Sequence, residues 1–273
     1  ARDMRPSGVP LVAAFADGAR AVGVEVIDLG LASTDLLYFA AGHLDAPGAM
    51  FTASHNPAAY NGIKLCLAGA APVGAESGLR EIEAATNEFL KSPAQGSPAP
   101  LHAADVADEW VRHVRSFTDV SALRPLKIVA DCANGMGGFI APLVFAGLPF
   151  EMEYLYPELD GTFPNHPADP LNPDNLVDLQ RRVLETGADI GLAFDGDADR
   201  VFLIDDQAQP VSGSTTTALV AAAMLDRNPG ATILHNLICS RAVPEVIREH
   251  GGAPVRTRVG HSYIKQVMAE TGA

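Results

Sequence analysis

Ala49-Met50-Phe51-Thr52-Ala53-Ser54-His55-Asn56-Pro57 is an apolar run that ends in a tight polar turn. Proline fixes its own φ and pushes the residue before it out of the helical region, so Asn56-Pro57 stops the chain and turns it. The strand expected over Ala49–Ala53 therefore delivers one hydroxyl, Ser54, to its end. His55 is adjacent, and Lys64 follows a short loop in Tyr60-Asn61-Gly62-Ile63-Lys64. A hydroxyl, a proton carrier and a cation thus gather at one strand end, where open α/β sheets bind ligands.

A second cluster has the same form. Ile190-Gly191-Leu192-Ala193-Phe194 reads as a buried strand and runs into Asp195-Gly196-Asp197-Ala198-Asp199-Arg200. Carboxylates at alternate positions of an extended or curling segment lie on one side of it. They offer three hard oxygen donors, which suits Mg²⁺. Without a cation their mutual repulsion is destabilising. An EF-hand loop fits poorly, because the sixth position is Arg200 where the turn needs glycine and the entry is a strand. A phosphatase with Asp195 as nucleophile fits the first half of its motif, but Asp199 stands where that motif has Thr or Val. Arg200 adds a planar fork that can clamp phosphate.

Working outward, strands and helices alternate along the chain, which predicts α/β units with mixed, largely parallel sheets between helices. Ser92-Pro93-Ala94-Gln95-Gly96-Ser97-Pro98-Ala99-Pro100 reads as a linker. The expected domains are 1–99, carrying Ser54; 100–206, carrying the aspartates; and 207–273. In Arg2-Asp3-Met4-Arg5-Pro6-Ser7 two arginines precede a helix, an arrangement open to an anion. The simpler reading is a helix capped by Ser7 with solvated arginines. Asn134-Gly135-Met136-Gly137-Gly138 either cradles a phosphate or permits a tight strand-to-helix crossing. His166, in a proline-rich loop, reads as polar surface.

Composition narrows the classes. The 273 residues carry a formal net charge of −14, which argues against non-specific nucleic-acid binding. No stretch approaches the ~20 apolar residues of a membrane helix. Cys66, Cys132 and Cys239 are scattered and odd in number, and Cys66 and Cys132 sit in apolar strand-like runs, as expected of buried reduced thiols in a cytoplasmic protein. Nothing in the sequence speaks to oligomeric state.

Thr52-Ala53-Ser54-His55-Asn56-Pro57 with Tyr60-Asn61-Gly62-Ile63-Lys64, taken together with Asp195-Gly196-Asp197-Ala198-Asp199-Arg200, resembles the α-D-phosphohexomutase family, and within it the bacterial phosphomannomutase/phosphoglucomutase branch. The resemblance covers nearly the whole chain. It implies an isomerase that interconverts hexose 1-phosphates and 6-phosphates, mannose and also glucose, through a hexose 1,6-bisphosphate that serves as activator. It implies that Ser54 is a phosphoserine and joins Asp195, Asp197 and Asp199 around Mg²⁺. Arg200 would contact the phosphoryl group. His55 and Lys64 would carry protons and balance charge, with Lys64 the preferred general acid/base. Arg5 and Ser7, and His261 in Gly260-His261, would bind substrate or phosphate. The expected partners are small hexose phosphates. The family pattern also places a strand before this stretch, and a sugar-reading loop and a fourth domain after it, so this stretch alone is expected to turn over little or no substrate. The alternatives are the Asp195 phosphatase and an inactive sugar-phosphate-binding fragment.

Overall fold

Short connections and long ones sort the strands. The computed structural model describes residues 1–91 and 98–273, without the side chains of 75, 76, 261 and 262. It divides into two compact units, Ala1–Gln209 and Pro210–Ala273. The stretch expected as a linker lies outside the described residues from 92 to 97.

In the first unit, α1 (Gly8–Ala21), β1 (Val26–Asp28) and α2 (Thr34–His43) lead to β2 (Gly48–Phe51) and β3 (Ile63–Cys66). Then come α3 (Arg80–Phe89), β4 (Leu101–Ala103) and α4 (Ala107–Ser116). The remainder is β5 (Leu126–Asp131), α5 (Gly137–Phe145), β6 (Phe150–Leu155), α6 (Val177–Thr186), β7 (Ile190–Phe194) and β8 (Val201–Ile204). Strands joined through helices pair in parallel. β5 lies between β6 (Leu126↔Phe150) and β7 (Ile128↔Ile190), and β1 pairs with β4 (Val26↔Leu101). Strands joined by a short loop cannot make a crossover and pair antiparallel. These are β2 with β3 (Phe51↔Ile63) and β7 with β8 (Phe194↔Val201). Both chemistry-bearing loops are therefore hairpin connections. Ahead of α1, Arg2 forms parallel bridges to both Leu31 and Phe51, which sets Asp3 and Arg5 beside the end of β2.

Packing continues across the boundary expected near residue 99. One core cluster combines Met4, Leu36 and Ala40 with Trp110, Met136, Ile140 and Ala198. Ala198 belongs to the aspartate loop, so that loop is pinned from within the core. A second cluster seats Leu179 and Val183 of α6 on the sheet, against Val129, Ala193 and Ile204. Leu179 and Val183 are fully buried, which contributes about 1.5–3 kcal/mol each.

The second unit opens with β9 (Pro210–Val211) and continues through α7 (Gly213–Arg227), β10 (Thr232–Asn236), α8 (Ala242–Glu249), β11 (Ala253–Thr257) and α9 (His261–Thr271). β10 and β11 pair in parallel, and Ala218, Ala221 and Leu225 pack on Val243 and Ile247. Ser212 caps α7 by accepting the Thr215 amide.

Candidate active site

The Ser54 loop is built from its backbone inward. Thr52 N–H donates to the Gly62 carbonyl at 3.1 Å and closes the hairpin. The Thr52 hydroxyl donates to Asp3 Oδ2 at 2.7 Å and accepts the Ser54 amide at 2.9 Å. Ser54 itself sits at φ +52°, a left-handed conformation that non-glycine residues adopt at a cost of about 1–3 kcal/mol. Arg5 holds it there. Its Nη2 donates to the carbonyls of Ser54 (2.9 Å) and Asn56 (2.6 Å), and its Nη1 to those of Pro57 (2.7 Å) and Tyr60 (3.1 Å). Its Nε donates to Asp3 at 3.2 Å, and the Phe163 ring covers the guanidinium at 5.1 Å.

This corrects the expectation for Arg5. It is 0% exposed, and all five of its N–H donors are committed, so it is a scaffold for the loop with none left for a phosphate. Ser7 also differs. Its φ/ψ is helical, and its hydroxyl makes no cap but accepts from Asn61 Nδ2 at 2.9 Å.

Asp195 and Arg200 meet Ser54 directly. The Ser54 hydroxyl donates to Asp195 Oδ2 at 2.8 Å and accepts from Arg200 Nη2. Arg200 Nε reaches Asp195 Oδ2 at 2.9 Å, and the Arg200 amide reaches Asp195 Oδ1 at 3.1 Å. Arg200 Nη2 also donates to His55 Nδ1 at 2.6 Å, so this ring nitrogen is an acceptor and the neutral ring carries its proton on Nε2. The loops fit with no spare room. A Cβ on Gly196 would collide with the Ser54 carbonyl oxygen.

On the other side, Lys64 Nζ donates to Asp197 Oδ2 at 2.6 Å and Asp199 Oδ2 at 2.7 Å. Burial, then the neighbouring Asp197 and Asp199 charges, push the Asp195 carboxyl up to about 6. Burial pushes Asp197 the same way, but Lys64 and the Thr34 hydroxyl outweigh it and hold Asp197 below the ordinary carboxylate value. Burial works against the Lys64 charge as well, yet Asp197 and Asp199 raise its pKa.

Asp195, Asp197 and Asp199 each offer an oxygen within 4.8 Å of the others. Among the described residues, Asp197 Oδ1 is buried without a hydrogen-bond partner. A buried carboxylate oxygen left in this way costs free energy unless something pairs with it. Three carboxylates and one unused oxygen fit a hard cation.

The glycine-rich turn proves to be a tight crossing. The Met136 amide donates to the Gly196 carbonyl at 2.9 Å, and the Asn134 and Gly135 amides go to Tyr156 and Cys132 carbonyls. It braces the aspartate loop. His166 is not free surface, because its Nε2 meets buried Asp131 at 3.0 Å. His261 opens α9, and its side chain lies outside the described residues. Asp3 and Thr52 lie inside stretches the sequence draws attention to, but like Thr34 they were not singled out as site residues, because Thr52 meets Asp3 across 49 residues and Thr34 meets Asp197 across 163.

In this α/β chain two hairpin loops bring a serine hydroxyl against a carboxylate trio. Models of the phosphoglucomutase/phosphomannomutase α/β/α domains I, II and III match residues 1–91, 108–209 and 212–273, and the chain belongs to that family. It is 39% identical over 273 residues to a phosphomannomutase/phosphoglucomutase of Pseudomonas syringae pv. tomato, covering 100% of this chain and 57% of that protein. It is 37% identical over 281 residues to Escherichia coli phosphomannomutase, covering 99% of this chain and 61% of that one. A crystal structure of a family protein from Burkholderia thailandensis superposes with a TM-score of 0.87 at 37% identity, over 100% of this chain and 60% of that one. The chain thus spans about three fifths of the length of these relatives. Among the described residues, no helix is long and apolar enough to cross a membrane.

Proposed function

We propose that this chain carries the phosphoserine and metal half of a phosphohexomutase. The reaction would move a phosphoryl group between Ser54 and a hexose phosphate, interconverting 1-phosphate and 6-phosphate through a hexose 1,6-bisphosphate. Mannose and glucose phosphates are the proposed substrates, and the bisphosphate the activator. The observation that carries the reading is the placement of the Ser54 hydroxyl between Asp195 Oδ2 and the Arg200 fork, with the aspartate trio alongside.

Asp195, Asp197 and Asp199 would hold Mg²⁺, which supplies charge neutralisation on phosphoryl oxygens. The rest falls to side chains. Arg200 is placed to follow the phosphoryl group, since its guanidinium already reaches the serine oxygen. A serine at its ordinary pKa needs activation; Lys64, on β3 beside the loops, would carry a proton, and His55 would do so once its Nδ1 is released from Arg200. Lys64, held protonated by two carboxylates, suits the acid role. The buried thiols suit a cytoplasmic setting.

The test is intact mass with peptide mapping after incubation with glucose 1,6-bisphosphate and Mg²⁺. One phosphoryl group on the Ser54 peptide, absent from Ser54→Ala, is the expected result. Phosphate on Asp195, or release of phosphate by Ser54→Ala at the unmodified rate, would move the assignment to a phosphatase.

A further inference from the structure

We infer that Thr34 is a positioning residue for the metal-binding carboxylate of Asp197. The inference rests on the metal reading of the aspartate trio. Thr34 is the first residue of α2 and lies 163 positions from Asp197, yet it grips that residue twice. Its amide donates to the Asp197 carbonyl at 3.2 Å, and its hydroxyl donates to Asp197 Oδ2 at 2.5 Å. Thr34 is 1% exposed and Asp197 0%, so water does not compete for either contact.

The chemistry follows from counting donors. A buried carboxylate can rotate about its last bond, and the partner of one oxygen decides where the other is available. Oδ2 of Asp197 takes the Thr34 hydroxyl and the Lys64 ammonium at 2.6 Å. Oδ1 is the oxygen left without a partner. The hydroxyl is itself oriented. Lys64 Nζ also approaches Thr34 Oγ1 at 3.4 Å, and an ammonium only donates. The Thr34 oxygen therefore receives from Lys64, and its proton is directed to Asp197.

Helix position makes this possible. A threonine inside a helix can spend its hydroxyl on a carbonyl one turn back. At the first helical position there is no preceding turn, and the amide is one of the helix's unused donors. Both groups are free for Asp197. Lys64 alone would hold Oδ2 less firmly, since an ammonium on a four-carbon stem is a mobile point charge. Partners of this kind, which orient a ligand without touching the ion, typically govern about 10–100-fold in metal affinity.

The experiment measures Mn²⁺ binding to this chain by counting free Mn²⁺ with electron paramagnetic resonance, with no turnover involved. Thr34→Val removes the hydroxyl while keeping the backbone amide and the side-chain shape, and urea unfolding shows whether it stays folded. Thr34→Ala makes the same deletion without the packing demand of valine, and Thr34→Ser retains the hydroxyl. The expected result is affinity weakened about 10–100-fold in the valine and alanine variants and preserved in serine. Equal affinity in the hydroxyl-less variants and the unmodified chain would overturn the inference, as would a loss in Thr34→Ser as large as in Thr34→Ala. Failure of the metal reading looks different. The unmodified chain and Asp197→Asn would then bind Mn²⁺ alike, and the inference would fall with that reading.

Discussion

Removing the Arg5 guanidinium should destabilise the first unit far more than an ordinary substitution does. In Arg5→Met the side chain keeps much of its volume and loses all five donors. Asp3, whose side chain is 0% exposed, is left as a buried carboxylate without its cation. Burial already raises the Asp3 pKa, against the opposing bonds from Arg5 and Thr52. Breaking a buried pair from one side costs about 3–5 kcal/mol. Asn56, Pro57 and Tyr60 are exposed residues whose carbonyls can recover water, so they add less; the Ser54 carbonyl is packed against Gly196 and adds to the loss. The loss is a large fraction of a typical total stability of about 5–15 kcal/mol. Trp110 is the only tryptophan, is 2% exposed and shares a core cluster with Met4, so its fluorescence follows this unit. With a urea slope of about 2–3 kcal/mol/M, the midpoint should fall by about 1–2.5 M at unchanged slope. Asp3→Asn on top of Arg5→Met removes the stranded charge and should recover part of that shift. Arg5→Lys keeps the charge but offers three donors for five acceptors, and should fall between. A loss below about 1 kcal/mol in Arg5→Met would refute the anchoring role, since that is the range of an average point mutation.

Two further outcomes follow from other side chains. Burial lowers the His166 pKa, but its bond to Asp131 and that charge prevail and raise it above the ordinary value. A raised folded-state pKa stabilises fully below the unfolded value of about 6.5 and loses that contribution as pH rises through the folded value. The stability gap between unmodified chain and His166→Gln in urea should therefore be widest below about pH 6.5 and narrow as the pH rises above it; a gap that widens with pH would contradict the pair. For the thiols, burial followed by the Asp131 charge pushes Cys132 up to about 12, and Cys66 is buried as well. Titration with a thiol-specific disulfide reagent at pH 8 should show one fast-reacting group, Cys239, which Cys239→Ser removes; rapid labelling of Cys132 would contradict the burial.

The chemistry of this site was legible where it is contiguous. Ser54 and the aspartates follow apolar strands and precede residues that can only turn, so local patterns suffice. The antiparallel pairing of β2 with β3 was also within reach, because 11 residues from Thr52 to Gly62 cannot hold a crossover. The strand Leu101–Ala103 gave no signal, being three exposed residues. Arg5 was misread because charge in a sequence says nothing of burial. His166 was misread because its partner, Asp131, lies 35 residues away. Thr34 gains its meaning only from Asp197, across 163 residues.

The distribution of charge explains why both cations are where they are. Three carboxylates and two cations, Lys64 and Arg200, give −3 + 2 = −1 for the cluster. Each cation touches two of the carboxylates, and Asp199 is shared, with Lys64 at 2.7 Å and Arg200 at 3.6 Å. Without them a charge of −3 in a largely buried space would repel any phosphoryl group. A divalent ion would bring the sum to +1, and a phosphoryl dianion on Ser54 would return it to −1. At each stage the cluster stays within one charge of neutral, which limits the cost of holding it away from water. A lysine and an arginine differ in what they can give up along that series. Lys64 is a point charge that can move or lose a proton, whereas Arg200 keeps its charge and its fork. The mobile cation therefore sits on Asp197 and Asp199, and the fixed one at the serine oxygen, where a phosphoryl group would need a constant geometry.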